Sequence, residues 1–216
     1  MATQLEIHDI KMIDLTEEEF LALGEDVNAE IIRGELIIMS PNRADHGFFG
    51  IRIAGLLQNY VVVRKLGRVF GDNTTYILKE DPTQHILKDA KVPDVSYVSY
   101  ERLPEDAALD QLLRLAPNIA VEIISESEKF PDVADKVRIY LEYDVEQVWL
   151  VFPQAQEIRV CTSEQPLGIV HRLDDTLSAG EILPGFEIPL RAVFDAQDHA
   201  LYAKTLQKLL SQNPEA

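Results

Sequence analysis

The chain has 216 residues, 46% hydrophobic and 26% charged, enough for one ordinary globular domain with a real core and too few for two large ones. Lys and Arg number 20 against 37 Asp and Glu, a formal net charge of −17, so a broad basic surface that grips duplex DNA through many phosphates is not expected. With Cys161 as the single cysteine, an intramolecular disulfide and a zinc site built on cysteine pairs are both excluded, and a reducing compartment is the simpler setting. The opening MATQLEIHDI has neither the basic start nor the apolar run of a secretory signal. No apolar stretch approaches the roughly 20 residues that span a bilayer, and we expect a cytoplasmic protein.

Thr16 and Glu19 have the spacing of a capping box, with Phe20, Leu21 and Leu23 as the apolar side of a short helix. The acidic run from Asp14 to Glu30 reads as a solvated face. Glu30-Ile31-Ile32 and Glu35-Leu36-Ile37-Ile38-Met39 flank Arg33-Gly34, the pattern of a β-hairpin. After Pro41, residues Phe49, Ile53, Leu56, Leu57, Tyr60 and Val63 recur at spacings of three and four, which predicts a long helix stopping at Gly67. The same stretch, to Arg68, carries Arg43, Arg52, Arg64, Lys65 and Arg68 against Asp45 alone, the basic segment of an acidic chain.

Strands are expected over 68–78, broken near Gly71, and over 92–99 and 118–124, with loop and some helix over 101–115. Val133, Val137, Tyr140 and Leu141 predict a helix over 131–143, and 146–152 is another apolar strand. Peripheral strands over 157–161, 169–173 and 181–190 and a helix over 198–210 complete the chain. The whole reads as one α/β (α+β) domain over residues 1–216, with its core at 44–152.

Apolar strands rarely hold carboxylates without a partner, because an unpaired buried charge is strongly disfavoured. Two strands here each hold one: Asp94 in Val92-Pro93-Asp94-Val95-Ser96 and Glu122 in Ile119-Ala120-Val121-Glu122-Ile123-Ile124. If these strands pair, both carboxylates converge on a hard divalent cation such as Mg²⁺, which suits one or two carboxylates plus a substrate phosphate. Lys136, on the helix that follows, would orient the attacking water or offset charge on the phosphate, and Glu35 and His46 are candidates to complete the same mouth. Each piece also has an ordinary structural reading. Pro-Asp is common turn chemistry, Glu122 suits a salt bridge to Arg, Lys136 suits an i, i+4 pair with Asp132, and His46 suits a structural hydrogen bond.

The order of these pieces resembles the PD-(D/E)XK nuclease superfamily and, more closely, the Uma family described as restriction endonucleases. The matching stretches are Glu30 to Leu36, Met39-Ser40-Pro41 with His46, Pro93-Asp94-Val95, Val121 to Ser125, Lys136 with Tyr140, and Val148-Trp149-Leu150-Val151. The resemblance implies a restriction-endonuclease-like core, a mixed central sheet flanked by helices, in which Asp94 and Glu122 bind Mg²⁺ or Mn²⁺. The superfamily lysine would stand two residues after the Glu, where this chain has Ile124; the resemblance makes Lys136 its replacement and gives Glu35 and His46 further family positions. Phe152 stands where related chains often have Asp, a change expected at a surface turn.

The leading expectation is therefore a metal-dependent endonuclease acting on nucleic acid, DNA in the first place, as a homodimer, with the basic segment, a dimeric groove or a partner protein collecting phosphates. Two alternatives stay open: a catalytically silent nuclease-fold binding or assembly protein, and a small-molecule phosphohydrolase. A positive rim around Asp94 would favour the nuclease, and an all-negative mouth would favour the alternatives.

Overall fold

The computed structural model describes residues 13–24, 27–39, 41, 43–126 and 128–211. The opening segment read for a leader, Ser40 of the matching stretches and the end of the chain lie outside these residues. Chain order is α1 (Glu17–Leu21), β1 (Ala29–Ile32), β2 (Glu35–Ile38), α2 (Ala44–Arg64), β3 (Gly67–Gly71), β4 (Tyr76–Glu80), β5 (Leu87–Lys91), β6 (Val95–Ser99), β7 (Ile119–Ile123) and α3 (Phe130–Glu142). Then come β8 (Gln147–Phe152), β9 (Glu157–Cys161), β10 (Ile169–Arg172), β11 (Thr176–Ser178), β12 (Glu187–Pro189), α4 (Leu190–Phe194) and α5 (His199–Ser211).

A six-stranded sheet of order β10-β9-β8-β7-β6-β3 forms the centre, antiparallel except for the β7·β8 pair, which α3 connects. Alternation along β7 decides what each face becomes. Ile119, Val121 and Ile123 join the core under α2, together with Ile53, Leu56, Leu57 and Tyr60. Ala120 and Ile124 turn the other way and pack with Val133, Val137 and Tyr140 of α3. Glu122 belongs to that second set by register. A four-stranded sheet of order β2-β1-β5-β4 carries the N-terminal hairpin, and its β5 runs through Val92-Pro93-Asp94 into β6 of the central sheet.

The expected mixed sheet flanked by helices is present. So is the capping box, with Thr16 Oγ1 accepting from Glu19 N while Thr16 N donates to the Glu19 carboxylate. The hairpin turns at Arg33 and Gly34, both at positive φ (53° and 82°), which is why a Gly suits the second place. Four expectations are corrected. Lys65, in the left-handed conformation, ends α2, while Gly67 opens β3, where a Cβ would strike the Val98 carbonyl oxygen and lie 2.7 Å from Ser99 Cα. The 101–115 stretch holds turns and a bridge from Leu113 to Tyr76 but no helix. Only 187–189 of the 181–190 stretch is strand, and β5, β11 and α4 were not foreseen. Finally, β9 and β10, expected at the periphery, lie on one side of the central sheet and are hydrogen-bonded into it beyond β8.

No helix among the described residues is long and apolar enough to cross a membrane.

Candidate active site

Pairing of β6 with β7 ends at Val95 opposite Val121, which sets Asp94, one residue before, beside Glu122, one residue after. The contact is direct. Asp94 Oδ2 accepts the Ile123 backbone N–H at 2.7 Å, so the strand that carries Glu122 also fixes the Asp94 carboxylate. His46, in the first turn of α2, reaches the same oxygen, Nε2 to Oδ2 at 3.2 Å. Asp94 Oδ1 accepts no hydrogen bond from the described residues.

Glu122 is held from the opposite side by α3. Lys136 and Tyr140 lie one helical turn apart and so project from the same side of the helix. Lys136 Nζ donates to Glu122 Oε2 at 3.0 Å and to Glu128 Oε1 at 2.9 Å, and the Tyr140 hydroxyl donates to Glu122 Oε1 at 2.6 Å. The i, i+4 pair with Asp132 does not form; Lys136 is drawn inward by two carboxylates instead. Beneath them is a second buried pair. The Lys91 ammonium, 0% exposed, bonds the Glu30 carboxylate, 2% exposed, whose other oxygen accepts Val92 N at 3.1 Å. Lys91 Nζ also lies 5.5 Å from the centre of the Tyr140 ring.

These neighbours set the protonation states. Burial would raise the Glu122 carboxyl, but the charges of Lys136 and Lys91 and the Tyr140 hydroxyl outweigh it and hold the group below its ordinary range. Burial pushes the Asp94 carboxyl up, reinforced by the Glu122 charge and opposed by His46. Burial opposes charge on His46 and on Lys136. In both, the neighbouring carboxylates prevail and raise the pKa: Asp94 for His46, and Glu122 with Glu128 for Lys136. These carboxylates therefore favour the ammonium form of Lys136.

Asp94, Glu122, Lys136 and His46 all line a single pocket of about 580 Å³. Glu35 does not. It opens β2 at the turn end of the hairpin, opposite Ile32 and bridged to Ile13, and the hairpin carboxylate at the pocket is Glu30. Glu30 lay inside a matching stretch but was not singled out, and Lys91 and Glu128 were missed altogether. A usable signal for Lys91 was its place two residues before Pro93-Asp94, where the chain must pass from one sheet to the other.

The basic segment does not supply a rim. Arg52 Nη2 donates to the Ala192 carbonyl at 2.6 Å, Arg64 Nη1 to the Leu209 carbonyl at 2.8 Å, and Arg68 Nη1 to the Pro104 carbonyl at 3.1 Å. Of its cations, Arg43 alone lines the pocket, opposite exposed Glu126, Asp132 and Asp135. Acidic side chains outnumber basic ones around the mouth, so it is neither the positive rim expected of a duplex-gripping nuclease nor the all-negative mouth expected of the alternatives.

Chemically, the donors suit a hard divalent cation. One carboxylate oxygen is open, a second carboxylate is held ionised beside it, and acidic groups outnumber cations around the pocket. No three of the described His, Cys, Asp and Glu side chains are grouped as a ready-made metal cage. The fit is that of a site with two carboxylates whose remaining positions go to water and substrate, the manner in which Mg²⁺ is usually held.

The fold matches the crystal structure of a protein from Anabaena variabilis ATCC 29413 described as "a putative nuclease belonging to DUF820", with a TM-score of 0.68 over 84% of this chain and 98% of that one, at 19% sequence identity. No curated protein matches the chain. The profile of the Uma2 family, described as "Putative restriction endonuclease", matches residues 17–191 and takes in every site residue above, so the chain belongs to the Uma2 family.

Proposed function

We propose that this protein is a divalent-metal-dependent phosphodiesterase of nucleic acid, with DNA as the expected substrate, acting in the cytoplasm as a homodimer. One observation carries the reading: β6–β7 pairing sets the Asp94 and Glu122 carboxylates side by side, with a Lys136 ammonium on one and His46 on the other. Membership of a family described as restriction endonucleases supports it.

Asp94 and Glu122 would hold Mg²⁺ or Mn²⁺, which when bound polarises a phosphoryl oxygen and lowers the pKa of a water. The chain's own groups would do the rest. Lys136, fixed as an ammonium between Glu122 and Glu128, offsets negative charge developing on the phosphate. Its two carboxylate partners favour the charged form, and we assign it an electrostatic role. His46 keeps a proton at Nε2 against Asp94 Oδ2, a donor placed to serve a leaving oxygen at the same mouth. Tyr140 and the Glu30–Lys91 pair hold Glu122 and the Val92-Pro93-Asp94 passage in register. No part is assigned to Glu35.

A second reading, a phosphohydrolase of a small phosphate compound, is favoured by the predominantly acidic mouth and the size of the pocket. The test of the common chemistry is hydrolysis of bis(p-nitrophenyl) phosphate with Mg²⁺ or Mn²⁺ by the wild type and by Glu122→Gln. Metal-dependent turnover lost in the variant is the expected result. No turnover by the wild type, together with identical calorimetric metal titrations of the two proteins, would leave the silent module as the better reading.

A further inference from the structure

We propose that the pocket admits an unpaired nucleic-acid strand, seating one nucleotide against the hairpin, and excludes an intact duplex; this rests on the phosphodiesterase reading of the same site. Three observations carry it. The first is depth. Glu122 is buried, so a scissile phosphate reaches it only by entering a pocket whose volume, about 580 Å³, lies in the range that encloses a ligand of small-molecule size. The second is an apolar wall. Ile32, Ile37, Ile38 and Met39 of the hairpin line this pocket together with the carboxylates, and Ile38 is 46% exposed, an aliphatic surface suited to the face of an unstacked base.

The third is charge. Exposed Glu126, Asp132 and Asp135 border the same pocket, Lys136 lies inside it between Glu122 and Glu128, and the arginines of 52–68 bond backbone carbonyls. Duplex DNA carries a negative charge about every 1.7 Å of its axis, so docking it here would set several flanking phosphates against these carboxylates within a Debye length of about 8–10 Å. A single strand can turn its flanking phosphates away and bring one or two to Lys136 and Arg43.

The experiment compares fluorescein-labelled single-stranded oligothymidylate with a duplex of equal length. Binding is followed by anisotropy in Ca²⁺ across a salt series and cleavage in Mg²⁺, with bis(p-nitrophenyl) phosphate hydrolysis run beside them. We expect the single strand to be favoured by at least about tenfold, with a log–log salt slope of roughly −0.7 to −1.4, the value for one or two phosphates on a single strand. Neutralising the border with Glu126→Gln and Asp132→Asn together should leave the small diester rate unchanged and raise duplex affinity. Duplex bound or cut as well as single strand while the small diester is hydrolysed overturns the proposal and leaves the phosphodiesterase reading intact. So does discrimination that survives neutralisation unchanged. Hydrolysis of neither the oligonucleotides nor the diester, with no metal binding by calorimetry, overturns both.

Discussion

Replacing Lys91 with Met isolates the buried charge network behind the site. The Lys91 ammonium is 0% exposed and the Glu30 carboxylate 2%, so Lys91→Met leaves a carboxylate in the interior with Val92 N as its one remaining described partner. Breaking a buried ion pair from one side costs about 3–5 kcal/mol, in line with about 4 kcal/mol for unit charges at 4 Å in an effective dielectric of roughly 20. Glu30→Gln alone strands the ammonium instead and should cost a similar amount. The double variant buries no net charge and keeps an amide oxygen for Val92 N, so its stability should fall within about 2 kcal/mol of the parent, far short of the sum of the singles. Guanidinium denaturation at neutral pH measures all four corners of the cycle. Losses below about 1 kcal/mol for the singles, or additive losses in the double, would refute the claim that this pair is a coupled buried unit.

Calorimetric titration of Mn²⁺ should give saturable binding to the wild type and none to Glu122→Gln; equal isotherms would remove Glu122 from the metal site. Lys136→Ala should lower the metal-dependent diester rate by about 10²–10³, the usual loss when one charge-stabilising donor is removed, and an unchanged rate would end its proposed role. Glu122 has a folded pKa below its unfolded value, so its contribution is complete above the ordinary carboxylate range and is lost as pH falls through the folded value. Asp94 is raised and acts with the opposite sign: its contribution is present at low pH and lost as pH rises through the folded value. Melting temperature against pH should therefore show a shallower acid limb in Glu122→Gln, and a steeper one would contradict the assignment. Gly67→Ala, which drives a Cβ into the Val98 carbonyl, should destabilise by about 3 kcal/mol or more, whereas Gly71→Ala, with nothing within 4 Å, should cost under about 1 kcal/mol.

The parts of the site that could be read in advance are those where a charge breaks an apolar pattern. Glu122 stands inside Ile119-Ala120-Val121-Glu122-Ile123, so its burial and its need for a partner followed from its neighbours, and period-two alternation placed it on the face that α3 covers. Periodicity likewise located α3, and Lys136 and Tyr140 came with it at helical spacing. In β5, Leu87-Lys88-Asp89-Ala90-Lys91, the same rule works against the reader. Its polar residues show no strand pattern, yet Asp89 is buried because Arg33 N and the Tyr143 hydroxyl donate to it, and Lys91 because Glu30 bonds it. These partners lie far away in the chain, and no local pattern announces them. The arginines of 52–68 failed for a related reason, since composition counts a charge without saying whether it faces water or a backbone carbonyl.

The hairpin shows how register separates a carboxylate that lines the pocket from one that does not. Glu30 stands three residues before Arg33 and Glu35 one residue after Gly34, and both lie in a stretch that resembles the family. Once the turn pairs Ile32 with Glu35, however, Glu30 falls opposite Ile37, two pairs further from the turn. The pocket lining takes in Glu30, Ile32, Ile37, Ile38 and Met39 of the hairpin and stops short of Glu35, which pairs with Ile32 at the turn. Residue type and order therefore identified the hairpin as part of the site, while the choice between its two carboxylates depended on a register that becomes visible only when β1 is also paired with β5 and Lys91 is seen to lie against Glu30.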